Sequence, residues 1–177
     1  MRRRPSPPSS PSGKRCGRRA RRSPGRRSAA GSKTGGADAM PGVVLDASFA
    51  LAFMLPDEAQ PLPGEALAGA AVLGLTVPEL WWIEVGHAAL QAVRHGRMTE
   101  AERRDGLARL ARLPIETDAE GRLFAWTATT ALAERHRLSL YDATYLELAL
   151  RLGAALATLD AALRRAAAAE GVALQPA

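Results

Sequence analysis

An α/β fold, a short five-stranded parallel sheet flanked by helices in three layers, is predicted from three features of the sequence. Val43-Val44-Leu45 is a run of large apolar residues ending on Asp46, as in a strand covered on both faces. Comparable short runs return at Leu75-Thr76-Val77, Pro114-Ile115-Glu116, Ala155-Leu156-Ala157-Thr158 and Val172-Ala173-Leu174. Helical patterns separate them, and strands alternating with helices are joined by crossovers that make the sheet parallel.

The elements follow in order. After Asp46, Ser48 is suited to cap a helix over Phe49 to Leu55, which Pro56 ends. Pro61 to Pro63 break the chain before a short Ala/Leu/Gly helix from Gly64 to Ala71. Pro78 fits the first turn of a helix running through Glu79 and Glu84 to about His95, with Gly96 as its stop. Thr99 and Glu102 form a capping box that opens a helix to about Leu113. The Ala-rich stretch from Ala119 to Arg137 predicts one long helix. Ser139 caps the next, Tyr141 to Leu152, which Gly153 closes, and Asp160 starts the last, which Gly171 releases. No internal repeat is visible.

Charge divides the 177 residues unevenly. Twelve of the 24 Lys/Arg fall in residues 1–40 beside a single acid, Asp38, so the remainder carries twelve basic against seventeen acidic residues. The pI near 10.6 therefore belongs to the tail. Arg, Ser, Pro and Gly dominate that tail, which cannot offset its ordering entropy by burial and is expected to be disordered. It reads as an over-long gene assignment, with Met40 as the natural start before a domain spanning 41–177. A phosphate-contacting nucleic-acid arm is the functional alternative, and a transit peptide lacks the amphipathic face it needs. No apolar stretch reaches the roughly 18 residues of a membrane span, and no signal-peptide core precedes the first strand, so a cytoplasmic protein is expected. The one cysteine, Cys16, lies in the tail, which excludes disulfides and thiolate metal sites from the domain.

Chemistry is expected beyond the carboxyl ends of the strands. Asp46 follows the first strand, and Asp160 repeats its logic after the fourth. Asp142 begins the helix that runs back antiparallel to the fourth strand, so it returns to the same edge. Glu84 lies near the start of the helix after the second strand. Each acid alone has an ordinary reading as a turn, helix-start or solvated residue. Together, bunched carboxylates repel unless a cation is shared among them. Oxygen ligands without cysteine select a hard ion, Mg²⁺ or Mn²⁺, which can bind a phosphate oxygen and activate a water.

These residues carry a resemblance. The chain from Val43 to Leu174 resembles PIN-domain ribonucleases of the VapC toxin type. The match runs through Val44-Leu45-Asp46-Ala47-Ser48 with Asp57-Glu58, then Val77-Pro78-Glu79-Leu80 and Glu84-Val85, then Arg94-His95-Gly96-Arg97-Met98-Thr99. It is strongest at Leu138-Ser139-Leu140-Tyr141-Asp142-Ala143-Thr144-Tyr145-Leu146 and Ala157-Thr158-Leu159-Asp160. The resemblance implies strand order 3-2-1-4-5, with Asp46, Glu84, Asp142 and Asp160 as metal-binding acids and Ser48 orienting a ligand or water. It implies an Mg²⁺- or Mn²⁺-dependent endoribonuclease, the toxin of a type II toxin–antitoxin pair, acting on RNA, restrained by a small antitoxin and assembled as a homodimer.

Many relatives carry Asn three residues after the helix acid; here His87 stands there, and it reads as a tolerated replacement on the face of Glu84. Trp81 and Trp82 point about 100° apart, so one is expected in the core and the other outward. Tyr141 and Tyr145 read as packing residues. Arg94, Arg97, Arg103 and Arg104 read equally as a solvated face or as phosphate contacts. Two rivals stand beside the nuclease. An aspartate-nucleophile phosphotransfer enzyme would want a second acid where Ser48 stands, and a non-catalytic RNA- or protein-binding module would not need all four acids.

Overall fold

Successive residues of a strand point to opposite faces, and Val43, Val44 and Leu45 are all without solvent exposure. Strand β1 (Val43–Leu45) is therefore covered on both sides, as its unbroken apolar run predicts. The computed structural model describes residues 42–55 and 69–175, all within one unit, Asp38–Ala177. The expected tail, Asp57-Glu58 and most of the expected helix from Gly64 lie outside the described residues, although residues 69–73 are helical.

The other strands are β2 (Leu75–Pro78), β3 (Ile115–Asp118), β4 (Ala155–Ala157) and β5 (Leu174–Gln175). They form one parallel sheet in the order β3-β2-β1-β4-β5. Helices α1 (Ala47–Met54), α2 (Trp81–Arg94) and α3 (Glu100–Leu110) pack against one another. Helix α5 (Leu140–Leu152) lies on β1, β2 and β4, held by α4 (Ala128–His136) and α6 (Ala161–Ala169). One core joins the layers: Phe49, Trp81, Tyr145, Leu146, Leu148, Leu156 and Leu163 are all buried within it. Where α1 crosses α3, Gly106 allows the close approach: a Cβ there would stand 2.9 Å from Met54 Cε and 3.1 Å from its Cβ, so the Met54 side chain would have to shift.

Several boundaries moved for physical reasons. Helix α1 starts at Ala47 with Asp46 in the N-cap position, because the Ser48 hydroxyl is turned onto Asp46 instead of capping a helix. Pro78 ends β2 rather than opening α2; it sits at the strand end, where a missing N–H is tolerated. Edge strand β3 runs on to Asp118, paired with Pro78.

The long helix expected from Ala119 is not formed. Gly121–Leu123 is a single 3₁₀ turn, residues 124–127 are turn, and α4 begins only at Ala128. A tertiary clamp governs this segment. Arg151 donates from Nη1 and Nη2 to both Asp118 oxygens (3.2 and 2.7 Å) and from Nε to Glu147 (2.9 Å). Its guanidinium stands 4.8 Å from the Phe124 ring centroid. Helix α4 then ends on Arg137, a non-glycine residue at φ 55°. The two tryptophans divide as expected: Trp81 is buried, and Trp82 is half exposed and donates to Thr117 Oγ1 at 3.0 Å. No described helix is long and apolar enough to cross a membrane.

Candidate active site

The carboxyl ends of β1 and β4 lie side by side, tied where the Asp46 N–H donates to the Ala157 carbonyl at 2.9 Å. That pairing brings two hydroxyls to one carboxylate. Thr158 Oγ1 donates to Asp46 Oδ2 at 2.6 Å, and Ser48 Oγ donates to the same oxygen. Ser48 in turn accepts from the Leu159 N–H (3.0 Å), and Thr158 accepts from the Asp160 N–H (3.0 Å). Ser48, expected to orient a ligand or water, thus bonds to Asp46 and helps to fix it. Thr158, wholly buried, shares that work and was not singled out from sequence, where it reads only as the last residue of a strand.

Glu84 is set by a different element. The buried Tyr145, on α5, donates its hydroxyl to Glu84 Oε2 at 2.5 Å. Tyr145 is therefore a packing residue whose polar end also positions an acid. Its partner in the sequence reading, Tyr141, does not pack: its ring is exposed. Asp142 sits in the first turn of α5, where Ser139 caps the helix: Ser139 Oγ donates to Asp142 Oδ2 (2.7 Å) and accepts from the Asp142 N–H (3.1 Å).

Electrostatics join these three acids. Burial pushes the Asp46 carboxyl up, against the pull of the Ser48 and Thr158 hydrogen bonds, and the Asp142 charge adds to the rise. Burial likewise raises Glu84, opposed by Tyr145 and reinforced by Asp46 and Asp142. Burial and the bond to Glu84 hold the Tyr145 hydroxyl protonated far beyond its ordinary range. The groups that set Asp46 and Glu84 are hydroxyls, a backbone N–H and other carboxylates, and the Arg164 guanidinium stands close by, donating from Nη1 to the Thr158 carbonyl at 3.1 Å.

Asp160 joins this network through its backbone N–H, while its carboxylate is engaged elsewhere. It is the N-cap of α6, exposed, with Oδ1 accepting from the Leu163 N–H at 2.7 Å. Among the described residues no group of three His, Cys, Asp or Glu side chains is arranged to hold a metal ion. The donor chemistry nevertheless fits a hard divalent cation: oxygen ligands, two of them raised by burial and coupled to a third carboxylate.

His87 is exposed, with Nε2 3.5 Å from Gln91 Nε2. In the basic cluster, Arg103 is paired with Glu100 at 2.9 Å, while Arg94, Arg97 and Arg104 lie at the surface.

The PIN domain family profile matches residues 43–169. Several solved structures share the fold, PAE2754 and VapBC2 among them. PAE2754 from Pyrobaculum aerophilum is similar with 22% identity and a TM-score of 0.54, over 77% of this chain and 84% of that one. VapBC2 from Rickettsia felis, solved bound to a DNA fragment from its promoter, is similar with 12% identity and a TM-score of 0.54, over 75% of this chain and 96% of that one. No curated protein sequence matches. With the family profile covering most of the described sheet and helices, the chain belongs to the PIN-domain family.

Proposed function

We propose that this chain is a divalent-metal-dependent endoribonuclease, the toxin half of a type II toxin–antitoxin pair. PIN domains are generally nucleases that use divalent metals. One observation carries the reading to this chain: Asp46 and Glu84 are raised by burial beside Asp142, at the carboxyl edge of the sheet, with no cationic side chain among the groups that set them. The likeness to a VapBC complex supports an antitoxin partner. A homodimer in the cytoplasm completes the proposal.

Asp46, Glu84 and Asp142 would hold Mg²⁺ or Mn²⁺, with Asp160 added if its carboxylate leaves the α6 cap. A bound ion supplies positive charge for a phosphate oxygen and lowers the pKa of water. The chain's own residues prepare that site. Ser48 and Thr158 fix Asp46 through one oxygen, Tyr145 fixes Glu84, and Ser139 fixes Asp142, so the acids are oriented before substrate arrives.

A second reading has one observation behind it: the Asp160 carboxylate is engaged by Leu163, as suits a binding module that does not turn over. Cleavage of RNA by the full chain, free of antitoxin, decides between them. The nuclease cuts with Mg²⁺ or Mn²⁺, stops with chelator, and is silenced in Asp46→Asn and Asp142→Asn. Binding without cutting at any metal concentration selects the module, and cleavage indifferent to chelator and both substitutions removes the proposal.

A further inference from the structure

Beside the acids, a cavity of about 600 Å³ opens between the start of α2 and the start of α5. Leu80, Ile83, Glu84, His87 and Tyr141 line it. Two of these are large apolar or aromatic side chains left in solvent, Ile83 at 78% and Tyr141 at 65% exposure. Among the described residues no lysine or arginine lines it, and the one carboxylate is Glu84, which also belongs to the acid cluster.

We infer that this cavity is a subsite for a nucleobase of single-stranded RNA, flanking the phosphate presented to the acids. The inference rests on the nuclease reading and adds to it a base-stacking pair, Tyr141 and Ile83, with His87 at the rim. The chemistry separates the parts of a nucleotide. A phosphate needs guanidinium or ammonium groups, and these walls offer none. A base needs a flat apolar or aromatic face to stack on and a polar group at its edge. Tyr141 and Ile83 supply the face, and the exposed His87 imidazole supplies a donor or an acceptor. Glu84 is a wall of the cavity and a member of the cluster, so a strand whose phosphate meets the acids has its neighbouring base at this opening. The same walls exposed in water are an apolar surface with no internal use.

Binding of short single-stranded oligoribonucleotides to the full chain, measured by fluorescence anisotropy in Ca²⁺ to prevent turnover, tests this. Each oligonucleotide is compared with versions carrying one abasic site, moved along the strand. One position should contribute about 5- to 100-fold in affinity, the range of base–aromatic stacking. Tyr141→Ala should remove that contribution and Tyr141→Phe should keep it. An abasic scan that is flat in the wild type, or that keeps its step in Tyr141→Ala and Ile83→Ser, overturns the subsite. So does Tyr141→Ala weakening an antitoxin peptide while leaving the abasic step intact, which would mark the cavity as a protein-docking site. A step that depends on Tyr141 in a chain that never cuts RNA would keep the subsite and remove the nuclease reading.

Discussion

Asp46 follows β1 and Asp118 ends β3; both are partly or wholly withdrawn from water, and they fare oppositely. Burial leaves Asp46 raised, since only hydroxyls and a backbone N–H oppose it. Burial would also raise Asp118, yet the bidentate Arg151 guanidinium brings it below the ordinary carboxylate range. Arg151 serves the buried Glu147 as well, and its own pKa is pushed up, first by the bond to Asp118. One acid cluster is neutralised from within the chain and holds the β3–α4 connection. The other is oriented by hydroxyls, and the charges that set its acids are those of its own carboxylates, which suits a charge that comes from outside. The contrast supports the proposal that the second cluster receives its charge from a ligand, with Arg164 close by on the Thr158 carbonyl at 3.1 Å.

The largest expected effect tests the cluster oriented by hydroxyls. Asp46→Asn keeps the shape and removes the charge, and should reduce RNA cleavage about 10²–10⁴-fold. Single-turnover assays at saturating Mn²⁺ measure it; a variant within a few-fold of wild type would make the two clusters alike in having only structural roles.

Next comes the neutralised cluster. Arg151→Met leaves Asp118 and Glu147 without their counter-charge and should destabilise the fold by about 1–3 kcal/mol, the cost of stripping part-buried carboxylates of a charge-assisted partner. Urea unfolding at neutral pH reads it, and calorimetric Mn²⁺ affinity of the folded variant should stay near wild type if the two clusters are independent.

Thr158→Val should sharpen the contrast further. Removing the buried hydroxyl frees one restraint on Asp46 and should weaken Mn²⁺ binding about 10–100-fold, the usual effect of losing a group that orients a metal ligand. Calorimetry decides, and unchanged affinity would leave Ser48 as the sufficient anchor.

The smallest effect is on stability, and its sign differs between the clusters. Asp46 and Glu84 have folded pKa values above their unfolded ones, so the fold binds protons more tightly than the unfolded chain. In chelator their contribution should favour the fold increasingly as pH falls from neutral through the raised values, down to the unfolded values near 3.8 and 4.5. Asp118 acts oppositely: its stabilisation is full above its unfolded value and is lost as pH falls through the depressed folded one. Metal-free Asp46→Asn should therefore melt above wild type at neutral pH, read by a thermal scan in chelator. The gain should vanish as pH falls. An Asp46→Asn chain that melts lower at every pH would show that the charge is already compensated.

Asp46 and Asp142 were legible in the sequence because strand ends and helix starts are marked locally, by the apolar run before Asp46 and by Ser139 before Asp142. The parallel sheet was legible for the same reason: five short apolar runs between helical patterns have few other arrangements. Thr158 and Tyr145 were not, because a hydroxyl shows nothing of its partner until β4 lies beside β1 and α5 beside α2. The helix expected from Ala119 failed because its composition favours helix while Asp118 and Phe124 are held by Arg151 on α5. Tyr141 and Tyr145 share a spacing that suggests common packing, yet one is exposed and the other buried. The sequence by itself determined the alternation of strands and helices and the placing of acids at their ends, since periodicity and capping are properties of neighbouring residues. Only the tertiary structure decided which acids are oriented, which is neutralised by Arg151 and which is left at the surface. Burial and electrostatic pairing depend on distances between residues far apart in the chain, and no local pattern encodes them.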